Sequence, residues 1–400
     1  MATHIMGTLI KMNRIQQNMS QKALCEGICV PSYLSKIESG EIIATSELIN
    51  LLFDVLGIRY NDSVEFIETG NKLFRKYLER LTFNDFKESN KLFLEIEQNK
   101  EQYIHSPLII DYYLIKLARY CSTEERIFFE EPDKLLTQVY SQMNANQKLL
   151  YNLYKAIDLL QLTENYEGAM GYLKEGLKSG ENGHIYYWMS TTYLYQGNIL
   201  KAYEYGGKAL QVYLNDANVI SMMCTYELMA RIYMANEDYE VAKEYFRKSI
   251  QIGLKTHETY FQAYVYHKMA WCYICTGEIE EAMQCIKKDQ FPKGLMMKLE
   301  HEEVQAIIAY EKGDDKMSYH LIEKVSKKAH LKDKAIFKFL KACVEESYDL
   351  QKAEVATYLI EMIEENHKNV DIQPYFKRLL VKYYKENRKY KEAVMLLEKK

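Results

Sequence analysis

At 400 residues the chain exceeds what one compact core usually supports, which excludes a single small domain and predicts several domains or a modular array. Its 17 Gly and 5 Pro fall well under the roughly 12% of soluble proteins, against a turn-rich all-β chain, and 48% hydrophobic with 27% charged residues is material for a core rather than for disorder. With 52 Lys and Arg against 56 Asp and Glu the net charge is −4, so no bulk positive field draws the chain to nucleic acid or an anionic membrane, and any DNA site is a local patch.

The opening segment, Met1 to Met12, has only Ile5, Met6, Leu9 and Ile10 as an apolar stretch and no small-residue cleavage site, so it does not read as a signal peptide. No run approaches the roughly 20 apolar residues that cross a bilayer; Leu108 to Leu117 is broken by Asp111 and Lys116. The eight cysteines sit singly or in close helical pairs, without the framework that staples small secreted domains. A protein of the reducing cytoplasm with no membrane partner is expected.

Residues 1–62 read as short helices separated by tight turns. Ser20 is an N-cap for a helix from Gln21 to Glu26, Gly27 ends it, and Pro31 opens a second helix through Glu38 that Ser39-Gly40 stops. Thr45 or Ser46 caps a third from Glu47 to Leu56. Short helix, turn, short helix is a helix-turn-helix pattern, with Leu24, Ile28, Leu34 and Ile37 as its small core. The tract Met19 to Cys29, followed by Ser32-Tyr33-Leu34-Ser35-Lys36-Ile37-Glu38-Ser39-Gly40, resembles the helix-turn-helix family of the lambda-repressor and Xre type. That resemblance implies that the second helix enters a major groove with Pro31, Ser32, Tyr33 and Lys36 facing it, and that Gln21 serves as a phosphate or N-terminal anchor. Hydroxyls of Ser32, Tyr33 and Ser35 suit bases or phosphates, and Lys36 supplies charge. The first sixty residues hold five basic groups (Lys11, Arg14, Lys22, Lys36, Arg59) and five acidic ones (Glu26, Glu38, Glu41, Glu47, Asp54), which predicts weak binding by a monomer and dimerisation onto two half-sites.

From residue 63 the apolar period is that of helices. Phe66 to Leu81, Asp85 to Gln98, Leu108 to Cys121 and Asp133 to Met143 read as amphipathic helices, taken as degenerate leading repeats, with Pro107, Pro132 and Pro292 in interhelical loops. A small residue then follows a larger one by three positions at Tyr166/Ala169, Ile199/Ala202, Tyr239/Ala242, Ile279/Ala282, Asp315/Ser318, Leu350/Ala353 and Tyr390/Ala393. Successive small residues lie 33, 40, 40, 36, 35 and 40 apart, a spacing of one helix pair per repeat. Met229, Ala230, Tyr233, Tyr239, Ala242, Phe246 and Ser249 fall where a tetratricopeptide repeat, which the unit resembles, places its packing residues; the units before and after it match again. The fold expected is all-α, with residues 1–62 as the helix-turn-helix domain and residues 63–400 as a right-handed superhelical array of tetratricopeptide-like helix pairs for peptide sensing and dimerisation.

An Xre-type domain ahead of such an array resembles the peptide-pheromone-responsive regulators of the RRNPP group, and Ile28 to Gly40 is especially similar to its PlcR branch. The resemblance implies a double-stranded DNA operator, a short signalling peptide on the concave face and a homodimer formed through the repeats. Positions two, five and nine of each first helix point inward. They give His184, Tyr187 and Thr191, then Cys224, Glu227 and Arg231, then Tyr264, His267 and Trp271, then Glu300, Glu303 and Ile307. Glu227 and Arg231 are spaced to pair with one another. Asn152 on the preceding helix offers a carboxamide to a peptide backbone, in a register open by one residue.

Catalytic and metal chemistry is not expected. Cys272 and Cys275 form a C-x-x-C near Cys285 and His267 but inside well-formed repeats, and His301-Glu302-Glu303-Val304-Gln305 lacks the second histidine of a zinc protease. No phosphate loop, nucleophile elbow or dinucleotide fingerprint occurs, so neither enzyme nor cofactor is predicted. The alternative reading is an interaction scaffold that keeps a vestigial helix-turn-helix, or a dual regulator that also binds a phosphotransfer protein.

Overall fold

A computed structural model of the chain describes residues 2–82, 86–122, 128–257, 259–288, 301–328, 333–345, 353–365 and 370–398. Every element among the described residues is helical. The helices gather into two compact units, Met1–Glu181 and Asn182–Lys400.

The first unit begins with α1 (Ala2–Gln16), α2 (Gln21–Leu24), α3 (Pro31–Ser39) and α4 (Ser46–Leu56). Ser20 accepts a hydrogen bond from the Ala23 amide at 3.1 Å, Pro31 opens α3, and Thr45, not Ser46, caps α4. Helix α2 stops at Leu24, short of the expected Glu26, and the chain turns through Gly27 in the left-handed region at φ +75°. Gly40 and Gly57 take the same region at φ +78° and +67° to close α3 and α4. Helix α1 was not delimited by the sequence pattern; it buries Leu9, Ile10 and Met12 and packs on α3 and α4. A methyl group on Gly7 would fall inside the van der Waals radius of the Ile37 carbonyl oxygen, so α1 and α3 meet backbone to backbone.

Then come α5 (Val64–Thr82), α6 (Phe86–Gln98), α7 (Lys100–Ile104) and α8 (Ile109–Ser122). Their ends agree with the sequence reading within two residues except that α7 was not foreseen; Asp85 lies outside the described residues. The helix expected from Asp133 to Met143 is instead α9 (Glu130–Gln138) followed by one 3-10 turn, Tyr140–Gln142. Pro132 therefore sits in the first turn of α9 and not in a loop, a position where a missing N–H costs no helical hydrogen bond. Pro107 is in the turn before α8, and Pro292 lies outside the described residues. The unit ends with the pair α10 (Ala145–Leu162) and α11 (Tyr166–Leu177).

The second unit continues in pairs: α12 (Gly183–Tyr195) with α13 (Ile199–Asn215), α14 (Val219–Ala235) with α15 (Tyr239–Thr256), and α16 (Thr259–Thr276) with α17 (Ile279–Lys288). It goes on through α18 (His301–Lys312), α19 (Asp315–Ser326), α20 (Ala335–Glu345), α21 (Ala353–Glu365), α22 (Gln373–Glu386) and α23 (Tyr390–Glu398). Ala169, Ala202, Ala242, Ala282, Ser318 and Ala393 of the repeat ladder stand fourth in their helices, and Ala202, Ala242, Ala282 and Ser318 are fully buried there, whereas Ala353 is the first described residue of α21. A larger side chain there would push the two helices of a pair apart. The register is set by caps: Asn198 and Asp314 accept from the amides of Lys201 and Met317. Leu350 of the weakest ladder member lies outside the described residues.

Gly7→Ala should destabilise the first unit by about 2 kcal/mol or more, because the obstacle is backbone and cannot rotate away. Urea unfolding followed by proteolysis within residues 2–60 reads this, and a wild-type midpoint would contradict the backbone contact between α1 and α3.

Candidate functional site

The outward face of α3 carries the residues expected to meet DNA. Pro31, Ser32, Ser35 and Lys36 are exposed and Tyr33 is half-buried, while Leu34 and Ile37 point into the core. Helix α3 starts on Val30 without a side-chain cap. Gln21 is half-buried and its amide donates to Glu38 Oε2 at 2.8 Å. Glu38 is only 2% exposed, and its carboxylate also accepts from Arg14 Nε at 2.6 Å and Arg14 Nη2 at 2.9 Å. Arg14 Nη1 donates in turn to the Met19 carbonyl at 2.7 Å. One buried carboxylate thus ties α1, α2 and α3 together. Beside it, burial and a hydrogen bond with Cys29 push the Cys25 thiol up to about 11, which keeps it protonated.

The back of this domain is held by residues far along the chain in the same unit. Asn13 Nδ2 donates to the Ile104 carbonyl at 3.0 Å, the Asn61 amide donates to the His105 carbonyl at 3.1 Å, and Lys11 Nζ donates to the Gln138 carbonyl. Gln142 bridges two helices, accepting from Thr8 Oγ1 at 2.5 Å and donating to the Glu38 carbonyl. With Arg14 and Lys11 engaged, Lys22, Lys36 and Arg59 are the exposed cations of the first sixty residues. Asn152, also in the first unit, is buried; its Nδ2 donates to Tyr140 Oη and to the Lys148 carbonyl, both at 2.8 Å.

In the second unit the inner-helix residues form a cluster around Arg231. Its Nε is 3.8 Å from Glu227 Oε1, the pair that the four-residue spacing predicted, but the closer ion partner is Asp371, 3.2 Å from Nη2. Burial alone would raise the Asp371 carboxyl; Arg231 and Lys268 reverse that and hold it below the ordinary carboxylate range. Burial pushes Glu227 up and Lys268 down. Trp271 packs edge-on against Tyr375 and Phe376, with ring centroids 6.5 and 5.9 Å away. The segment that begins α22 therefore lies against Arg231 and Trp271, a contact between residues 140 apart that no local pattern shows. His267 is buried, Glu303 accepts from Lys334 at 2.6 Å, and Ile307 is fully buried. At the other end of the unit His184 Nδ1 is 3.1 Å from Tyr213 Oη, Tyr187 is edge-on to Trp188 at 5.7 Å, and Thr191 Oγ1 donates to the Tyr187 carbonyl at 3.0 Å. Glu300 lies outside the described residues. Cys272 and Cys275 pack within α16; burial raises both thiols, Cys275 to about 12.

Residues 10–62 match the helix-turn-helix family and residues 221–288 the tetratricopeptide repeat family. The chain is similar to the transcriptional activator NprA of Geobacillus stearothermophilus, 26% identical over 203 residues that make up 48% of this chain and 49% of the relative. It thus spans about half the length of the curated relative it matches. Among solved structures it resembles a Rap protein complexed with competence and sporulation factor, with TM-score 0.61 and 13% identity over 82% of this chain and 96% of that one. It also resembles the apo quorum sensor NprR from B. thuringiensis, with TM-score 0.57 and 16% identity over 83% of this chain and 99% of that one. NprR in complex with its cognate peptide NprX gives TM-score 0.55 at 16% identity, over 83% and 100% of the two chains. At such identities the likeness is one of helical-repeat fold; with the two family matches it gives an all-α chain with an N-terminal helix-turn-helix and tetratricopeptide-like helix pairs, the combination that the sequence resemblance to the RRNPP group anticipates.

Because the folded Asp371 carboxyl is held down, its stabilisation is present above the ordinary carboxylate range, near pH 4, and is lost as pH falls below it. Asp371→Asn should lower the stability of the chain at pH 7 and shrink its stability difference between pH 7 and pH 3, as measured by denaturant unfolding at each pH. An unchanged acid dependence would contradict the Arg231–Asp371 pairing.

Proposed function

We propose that the chain is a cytoplasmic, DNA-binding transcriptional regulator controlled by a short signalling peptide bound on the inner helices of its repeats. The observation that carries this reading is the outward face of α3, where Ser32, Ser35 and Lys36 are exposed together beside Tyr33 at the start of a helix-turn-helix recognition helix. Similarity to a transcriptional activator supports regulation, and the fold shared with NprR, whose structure has been solved with its cognate peptide, supports peptide control. Functionally we divide the chain at residue 62, DNA binding before it and peptide sensing with dimerisation after it.

In this reading the second unit's peptide contacts are His184, Tyr187, Thr191, Glu227, Arg231, Tyr264, His267, Trp271 and Glu303, and Asn152 is taken by itself as a contact of the first unit. Homodimerisation follows from charge: with three exposed cations in the first sixty residues, one domain neutralises few phosphates, and two half-sites double the number. Among the described residues no helix is long and apolar enough to cross a membrane.

Tyr33→Ala with Lys36→Ala should weaken operator binding by at least about tenfold, since each good base contact is worth about 1–3 kcal/mol, while circular dichroism and oligomeric state stay as in the wild type. Fluorescence anisotropy on a labelled operator duplex at fixed salt measures it. Unchanged affinity would overturn the assignment of α3 as the DNA-reading helix.

A further inference from the structure

On the first unit, away from the outward face of α3, the turn Tyr140–Gln142 and helices α10 and α11 line an open cleft of about 450 Å³. Three tyrosine rings, Tyr140, Tyr151 and Tyr172, form its walls with Asn152, Gly171 and Glu175. Its polar groups are largely committed to one another. The Tyr151 hydroxyl bonds Thr137 at 2.8 Å and donates to Asp133 at 2.9 Å, Asn152 Nδ2 donates to the Tyr140 hydroxyl, and Glu175 pairs with Lys178 at 2.5 Å. Two cations already stand over the rings: Lys148 Nζ lies 5.6 Å from the centre of Tyr140, and Lys155 Nζ lies 5.9 Å from that of Tyr172. With those two ring faces taken and Lys155 neutralised by Asp133 at 2.9 Å, the open space between the tyrosine rings suits an apolar group. Gly171 leaves room on the α11 side, because a methyl group placed on it touches nothing within 4 Å.

The wall of the cleft is also the support of the DNA-reading helix. Tyr140 faces the cleft; two residues later Gln142 accepts from Thr8 of α1 and donates to the Glu38 carbonyl near the end of α3. On the other side of Tyr140, the Gln138 carbonyl receives Lys11 of α1. A group that displaces Tyr140 therefore moves the turn to which α1 and α3 are bonded.

We propose that this cleft binds one apolar side chain of the signalling peptide, and that its occupancy is relayed to α3 through Tyr140 and Gln142. The proposal rests on the peptide-controlled reading given above. Its affinity for an apolar group is nevertheless a property of the cleft itself, so it is tested with a probe that is not the peptide. Binding of N-acetyl-phenylalaninamide and N-acetyl-lysinamide to the full chain is compared by ligand-observed NMR. The phenylalanine probe should bind, the lysine probe should not, and Gly171→Leu, which fills the cleft from an open helical position, should weaken the phenylalanine probe at least about tenfold. Gly171→Ala, which adds a single methyl group, should weaken it less. Saturating phenylalanine probe should change hydrogen exchange across residues 31–39 in the wild type and leave it unchanged in Gln142→Ala. Equal binding by Gly171→Leu, preference for the lysine probe, or unaltered exchange in the wild type would each overturn the proposal. If these results hold while no peptide alters DNA binding, the peptide reading fails and the apolar cleft stands.

Discussion

The carboxylate of Glu38 is buried against Arg14, and the orientation of α3 depends on that pair. A charged pair taken out of water gains little over apolar packing, but separating it leaves an ion stranded at a cost of about 3–5 kcal/mol. The three helices that contribute Arg14, Gln21 and Glu38 therefore hold together or come apart as a set. Their mutual placement leaves Ser32, Ser35 and Lys36 on the outside of α3. The main-chain carbonyl of Glu38 is bonded in turn to Gln142, so the same residue that fixes the inside of the domain is its point of attachment to the helices that follow.

In the second unit the organising constraint is size. Alanine at positions 202, 242 and 282 lets paired helices approach, and Gly206 lies so close to Met229 Sδ that a side chain there would have to displace it. Tyrosines stack inside the pairs, Tyr233 on Tyr245 at 5.3 Å and Tyr193 on Tyr205 at 5.5 Å, and Tyr203 of α13 meets Tyr233 of α14 edge-on at 5.8 Å across the seam between two pairs. Against this apolar scaffold Glu227, Arg231, Lys268 and Asp371 form a buried charged set. Its two anions and two cations balance, and Asp371 brings the segment that begins α22 onto Arg231 of α14.

Local signals were legible in the sequence because they are local. Ser20, Pro31 and Gly40 announce the ends of α2 and α3, and the ladder from Ala169 to Ala393 announces the helix pairs. Interactions across long stretches of chain were not. Nothing near Gln21 points to its bond with Glu38, and nothing near Arg231 points to Asp371. Helix α7 has only five residues, too few to show a period. Pro132 reads as a break, yet the first turn of a helix tolerates it. The exposed face of α3 was found from its motif alone; its support by Gln138 and Gln142 required the fold.

The central claim is that this chain reads a DNA sequence under the control of a short peptide. The most direct test is fluorescence-anisotropy binding of the full chain to a duplex from its own promoter and to a scrambled duplex, at fixed salt, with and without the short peptides encoded beside it. The account predicts preferential binding to the promoter duplex and a shift in that affinity with one of the peptides. Equal affinity for the two duplexes, with every peptide and without any, would contradict it.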